Sequence, residues 1–215
     1  MLVRRTDAID ALADPGAAGW GAIAAETVKL MPAPAAMQPT RYIATKWRDQ
    51  AYGAVASLDV QGVHDGATIA FRLRWRDPAK NAVRFENTDF PDAAALLFPL
   101  AADAPLFMGA PGQPVNLWYW RADFPERARS DVASGIGSSR VVDDTAITAR
   151  AAHDGEFWSV VLRRALKVQA NAAESVQLEP GQRLRTTFAV WEGGNLERAG
   201  IKAFAPQWVE LAIEA

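Results

Sequence analysis

The stretch Thr68-Ile69-Ala70-Phe71-Arg72-Leu73-Arg74-Trp75 alternates between apolar and charged residues. On an extended chain successive side chains leave opposite faces, so Ile69, Phe71, Leu73 and Trp75 point one way and Arg72 and Arg74 the other. That period belongs to a sheet with one buried face, not to a helix. Gly53 to Val60 is a second candidate strand, and His64-Asp65-Gly66 supplies the tight turn of a hairpin between the two. Glu26 to Leu30 alternates and stops at Met31-Pro32-Ala33-Pro34. Val115 to Trp120, Thr145 to Ala151, Phe157 to Leu162, Arg183 to Trp191 and Val209 to Ile213 complete the strands, with Asp154-Gly155 as another hairpin turn. Asp92 to Leu97 is Ala/Leu-rich and reads as a short helix. The first twenty residues read as weak helix or coil, and Ala170 to Glu179 as a surface connection. Short strands with Gly, Pro, Asp and Asn between them predict an all-β fold, an antiparallel β-sandwich with a few short helices. No repeat and no long linker divides the chain, so residues 1–215 read as a single domain.

Composition narrows the chemistry. There is no cysteine, which excludes disulfides, Cys-ligated iron–sulfur clusters, thiolate zinc sites and the C-x-x-C-H haem attachment. Only two histidines are present, His64 and His153, so a multi-histidine metal site would consume nearly all of them. His64 falls in a turn and His153 ends a strand, and both read as surface residues. Net charge is -2 with Lys and Arg dispersed, which points to no nucleic-acid partner and no anionic-lipid surface. No run of about 18 apolar residues predicts a membrane span. Arg4-Arg5 is followed by no apolar stretch, so the chain's own signal peptide is not evident.

Catalytic constellations are poor. G-x-S-x-G and P-loop patterns are missing, and Gly109-Ala110-Pro111-Gly112 lacks the strand-before, helix-after context of a dinucleotide loop. Gly135-Ile136-Gly137-Ser138-Ser139 reads as a flexible loop. The eight tryptophans are many for this length; most fit a sandwich core, and a pocket for a flat cofactor or a sugar is the rival reading. Trp118 and Trp120 lie two apart and face the same side of their strand.

Two segments carry more. One runs from Leu106 through Met108-Gly109, Pro114-Val115-Asn116 and Trp118-Tyr119-Trp120 to Ala122. The other is Val190-Trp191-Glu192-Gly193-Gly194-Asn195-Leu196-Glu197-Arg198-Ala199-Gly200-Ile201-Lys202. In motif, order, spacing and total length the chain resembles the haem b-binding gamma subunits of the ethylbenzene dehydrogenase and dimethylsulfide dehydrogenase family, which also serves selenate and chlorate reductases. Met31-Pro32-Ala33-Pro34 is similar to the ethylbenzene dehydrogenase branch, while Ala199 and Ile201 depart somewhat from the relatives' pattern.

The resemblance implies one non-covalent haem b, with Met108 and Lys202 as the axial iron ligands. It implies an electron-transfer subunit with no catalytic centre of its own. Its partners would be a molybdopterin catalytic alpha subunit, an iron–sulfur beta subunit and a soluble acceptor such as a cytochrome c. The complex would be periplasmic, exported folded on a partner's signal. Trp118 and Trp120 are expected to wall the haem, Asn116 and Asn195 to satisfy backbone in their turns, and Arg198, Arg121 and Arg41 to be propionate candidates. A thioether is a soft ligand that tends to raise the potential, and an amine binds iron only when deprotonated, which burial favours. Alone, Met108 would be an ordinary buried methionine and Lys202 a surface lysine. A carbohydrate- or ligand-binding sandwich without a redox role, and a glycosidase-like sandwich, are the competing readings.

Overall fold

The computed structural model describes residues 1–142 and 146–215. Its strands are β1 (Leu2–Arg5), β2 (Glu26–Lys29), β3 (Met31–Pro32), β4 (Ser57–His64), β5 (Thr68–Arg76), β6 (Ala93–Pro99) and β7 (Val115–Arg121). They continue as β8 (Ala128–Ala133), β9 (Arg140–Val142), β10 (Thr148–His153), β11 (Phe157–Ala165), β12 (Arg183–Trp191), β13 (Ala203–Phe204) and β14 (Val209–Ile213). One short helix, α1 (Arg41–Lys46), starts at Thr40, whose hydroxyl accepts from the Ile43 N–H at 3.3 Å.

Two sheets result. The first runs β10-β11-β5-β4-β1-β14-β12, with β2 also on β4; the second runs β12-β6-β7-β8-β9, with β13 on β12 and β3 on β13. β12 belongs to both. Arg183–Thr186 pairs with β14, and from Thr187 to Trp191 the strand pairs with β6. At the changeover the Thr186 hydroxyl donates to the Leu97 carbonyl at 3.2 Å. All pairings are antiparallel except those of β1, which lies parallel to both β4 and β14.

The core lies between the sheets. Ile69, Phe71, Leu73 and Trp75 face inward, as their alternation predicts, and meet Leu96, Phe98, Trp118 and Trp120 from the other sheet. Trp75, Trp120 and Trp158 form a ring triangle with centroids 5.2–6.3 Å apart. The opposite face of β5 is covered by the first twenty residues, whose 3-10 turns carry Leu12 and Trp20 onto Ala70. Burial of this scale is the main stabilising term for such a fold.

Several expectations are corrected. Asp92–Leu97 is not a helix: residues 93–99 form a central strand, because both edges of β6 are filled by β12 and β7 and the pairing overrides the weak helical preference of Ala and Leu. The charged start at residues 2–5 is a strand with Val3 fully buried. His64 is not a surface residue but is completely buried, its Nδ1 facing the Gly66 N–H at 3.2 Å; burial lowers its pKa, with Arg5 nearby adding to the effect. The predicted strand from Thr145 begins at Thr148, and Thr145 itself lies outside the described residues.

Candidate functional site

An apolar pocket lies on the outer face of the second sheet, away from the sandwich core. Its floor is the odd-numbered face of three strands: Ala95 and Leu97 of β6, Leu117 of β7, and Thr187, Ala189 and Trp191 of β12. Ala95 pairs with Ala189 across the ladder, so the middle of the floor carries only methyl groups and is flat. The walls come from three loops. Ala33, Pro34, Met37 and Gln38 form one side, Leu106 to Met108 another, and Gly200, Lys202 and Phe204 the third, with Ile136 at the rim. The space amounts to about 670 Å³ when the part open to solvent at the mouth is included.

Met108 is delivered by a strained turn. Its φ is 64°, in the left-handed region where a non-glycine residue is uncommon and costs of order 1 kcal/mol or more. Gly109 follows at φ 70°, and a Cβ there would meet the Gln113 carbonyl oxygen at 2.6 Å. Ala110 and Gln113 exchange backbone hydrogen bonds of 3.0 and 2.9 Å around Pro111-Gly112, with Gly112 at φ 78° as a type II turn requires. The Gly135 N–H donates to the Met108 carbonyl at 2.8 Å, tying the turn to the loop that bears Ile136. The half-buried Met108 side chain packs with Leu97, Val115 and Leu117.

Lys202 is delivered by a loop wound around a buried carboxylate. Glu197 is 2% exposed and accepts from the Gly53 N–H at 2.6 Å, the Glu192 N–H at 3.1 Å and the Asn195 side-chain amide at 3.2 Å. The Trp191 indole donates to the Ala199 carbonyl at 3.0 Å, and the Ala33 N–H to the Lys202 carbonyl at 2.9 Å. Backbone is thus fixed on both sides of Lys202. Its Nζ lies 4.8 Å from the Trp191 ring centroid and has no ion pair or hydrogen bond among the described residues. Burial lowers its pKa to about 8, so a large share of the amine is neutral and free to donate its lone pair near that pH.

The structure therefore brings Met108 and Lys202 to one pocket. Trp118 and Trp120 are not there: they point into the inter-sheet core, at 0% exposure, and Leu117 of the same strand faces the pocket instead. Trp191 is the tryptophan that lines it. Asn116 sits in strand β7 rather than in a turn; its amide donates to the Ser130 hydroxyl at 2.7 Å and its carbonyl accepts from the Val176 N–H at 3.1 Å. Asn195 lies in its turn but its amide donates to the Ala51 carbonyl at 3.0 Å, in a distant segment, and to the Glu197 carboxylate at 3.2 Å. Arg198 stacks on Phe90 at 4.3 Å, Arg121 pairs with Asp123 at 2.5 Å, and Arg41 lies on α1; none of the three lines the pocket. Residues that sequence reasoning missed are Met37, Gln38 and the alanine floor, for which no period or motif gives a signal. No group of three or more His, Cys, Asp or Glu suited to a metal occurs among the described residues.

Fold and pocket define a β-sandwich that carries an apolar pocket on an outer sheet face. Comparison of the sequence is specific. The ethylbenzene dehydrogenase family model matches residues 17–140 and 132–203, and the chain belongs to that family. It is 36% identical over 161 residues to the chlorate reductase subunit gamma of Ideonella dechloratans, covering 74% of this chain and 65% of that one. It is 28% identical to the dimethylsulfide dehydrogenase subunit gamma of Rhodovulum sulfidophilum, covering 91% and 73%. A putative respiratory nitrate reductase heme subunit of Haloferax mediterranei is 27% identical, covering 90% and 66%. The chain thus spans a little under two thirds of the length of the chlorate reductase and nitrate reductase subunits. Among solved structures, a putative carbohydrate-binding protein of Bacteroides uniformis superposes with a TM-score of 0.57 at 10% identity, covering 100% of this chain and 98% of that one. A family 9 carbohydrate-binding module of Caldicellulosiruptor kristjanssonii in complex with glucose gives 0.52 at 9%, covering 100% and 95%. These two likenesses concern the fold alone.

Proposed function

We propose that this chain is an electron-transfer subunit that binds one non-covalent haem b, with Met108 and Lys202 as its axial ligands. The observation that carries this is the meeting, in one apolar pocket, of a strained methionine and a lysine that has no ion pair or hydrogen bond among the described residues and whose pKa burial lowers to about 8. The small alanine side chains of the floor leave room for a large apolar group, and a haem supplies one-electron chemistry when bound. Met108 through its thioether and Lys202 through its amine would hold the haem iron, and Trp191, Phe204 and the 33–38 segment would exclude water from it. Relatives named as gamma subunits of chlorate reductase and dimethylsulfide dehydrogenase, and one named as a heme subunit, support a place in an oxidoreductase complex. In our reading that complex holds a molybdopterin alpha subunit and an iron–sulfur beta subunit, passes electrons to a soluble acceptor such as a cytochrome c, and is periplasmic. The chain itself contributes no catalytic centre.

Sugar binding is the alternative raised by the fold. A sugar requires several polar groups that converge on its hydroxyls; the pocket offers Lys202 Nζ and the unpartnered Gln38 Oε1 and little else, because the Thr187 hydroxyl already donates to the Ala205 carbonyl at 3.1 Å. The deciding measurement is the optical spectrum of the purified chain or complex. A low-spin b-type spectrum that changes in both Met108→Ala and Lys202→Ala is expected. A fully occupied haem whose spectrum ignores both substitutions would remove the ligand assignment, and a complex with no haem but with glucan-quenched tryptophan fluorescence would replace the function.

A further inference from the structure

At one end of the inter-sheet core a charge occupies an apolar position. On β11, Trp158, Val160 and Leu162 face inward, and the next residue of that face is Arg164, only 2% exposed. Its neighbour across the ladder is the fully buried Ile69. A buried guanidinium without a counter-ion is among the costliest groups a core can hold. Arg164 has no carboxylate partner among the described residues. Its Nε donates to the Ala165 carbonyl at 3.0 Å and its Nη2 to the Val176 carbonyl at 2.6 Å and the Leu166 carbonyl at 3.5 Å, while Nη1 has no acceptor.

The groups around it have the same deficit. The guanidinium carbon lies 4.6 Å from the Trp118 ring, and the Trp118 indole N–H, fully buried, has no acceptor. Ser175 precedes Val176, is 2% exposed, and its hydroxyl is also unpartnered. Asn116, on the same inward face as Trp118, is already satisfied by Ser130, Asp131 and Val176. Donors and one full positive charge are thus in excess, the neutral Ser175 hydroxyl being the one unpartnered acceptor named beside them among the described residues. Buried polar groups of this kind have partners in nearly all native proteins.

We propose that Arg164, Trp118 and Ser175 bind a small monovalent anion of the chloride class inside the sandwich. One guanidinium calls for one negative charge, and an indole, a hydroxyl and a free guanidinium edge give that charge hydrogen-bond donors in place of water. The site is on the opposite side of the second sheet from the apolar pocket and does not depend on what that pocket holds.

Thermal unfolding of the full chain in sodium chloride and in sodium gluconate, at equal ionic strength, tests it. Chloride should raise the Tm by about 3–6 °C over gluconate, rising with the logarithm of chloride concentration. Ser175→Ala and Trp118→Phe, which keep the packing, should each shrink that difference, and Arg164→Met should abolish it. Bromide-soaked crystals should show anomalous density beside Arg164. Equal Tm values in the two salts, a chloride effect that both Ser175→Ala and Trp118→Phe leave intact, or no bromide at Arg164 would each overturn the site.

Discussion

Lys202 has no ion pair or hydrogen bond among the described residues, and its ammonium sits beside the Trp191 ring in an apolar pocket. Holding that charge costs the folded chain free energy whenever the amine is protonated. With a folded pKa of about 8 against an ordinary 10.5, the native state binds fewer protons, so stability rises as pH climbs from about 8 to 10.5. Lys202→Leu in the haem-free chain should therefore be more stable than the parent at pH 7, by roughly 1–3 kcal/mol, while losing the low-spin spectrum on haem addition. Urea unfolding at pH 7 and 10.5 checks it: a variant no more stable at pH 7, or equally improved at both, contradicts the argument. Asp77 gives the opposite sign. It is 2% exposed, and burial, then the Asp92 charge, raise its pKa to about 6 from 3.8. Its contribution is complete below about pH 4 and is lost as pH rises through 6, a loss of about 3 kcal/mol. Asp77→Asn, which keeps an acceptor for the Ala79 N–H, should flatten that slope between pH 4 and 6; an unchanged slope would assign it to other groups.

At the scale of elements, the strand β6 serves two surfaces. Ala94, Leu96 and Phe98 fill the core, and Ala93, Ala95 and Leu97 face outward under the pocket. Ala95→Phe should fill the floor: haem content should drop at least tenfold while Tm changes by only about 2–4 °C, because an outward-facing ring is not forced into the core. Retained haem would place the macrocycle elsewhere. The same strand shows what the chain makes legible. Arg183–Trp191 and Val209–Ile213 are read to the residue because alternation and turn residues agree at both ends. Residues 93–99 are not, because Ala and Leu on both faces leave no period to follow. Trp118 and Trp120 were legible as a same-side pair, but Leu117 and Tyr119 are apolar as well, so alternation alone cannot say which face is the core. Met108 and Lys202 stand in loops, where no periodicity exists; only the surrounding motifs point to them. His64 was misread because its turn position hides that β1 packs over it, with the Thr6 N–H on the His64 carbonyl at 2.8 Å.

Across the whole molecule the order of assembly is set by long-range pairing. β1 joins β4 to β14, two strands from opposite ends of the chain, so removing residues 2–5 should open the first sheet at its middle and cost about 3–5 kcal/mol. Denaturant midpoints with an unchanged transition slope would show the loss as stability alone; no shift at all would mean that β4 and β14 pair directly. β12 ties the two sheets in the other direction. One half of it, Arg183–Thr186, is laddered into the first sheet, and its other half ends at Trp191 in the pocket floor. A strand shared in this way opens as a unit, so its amides report on both sheets at once. Loading the pocket should accordingly slow deuterium uptake not only near Trp191 but also at Arg183–Thr186, in a sheet that never touches the ligand.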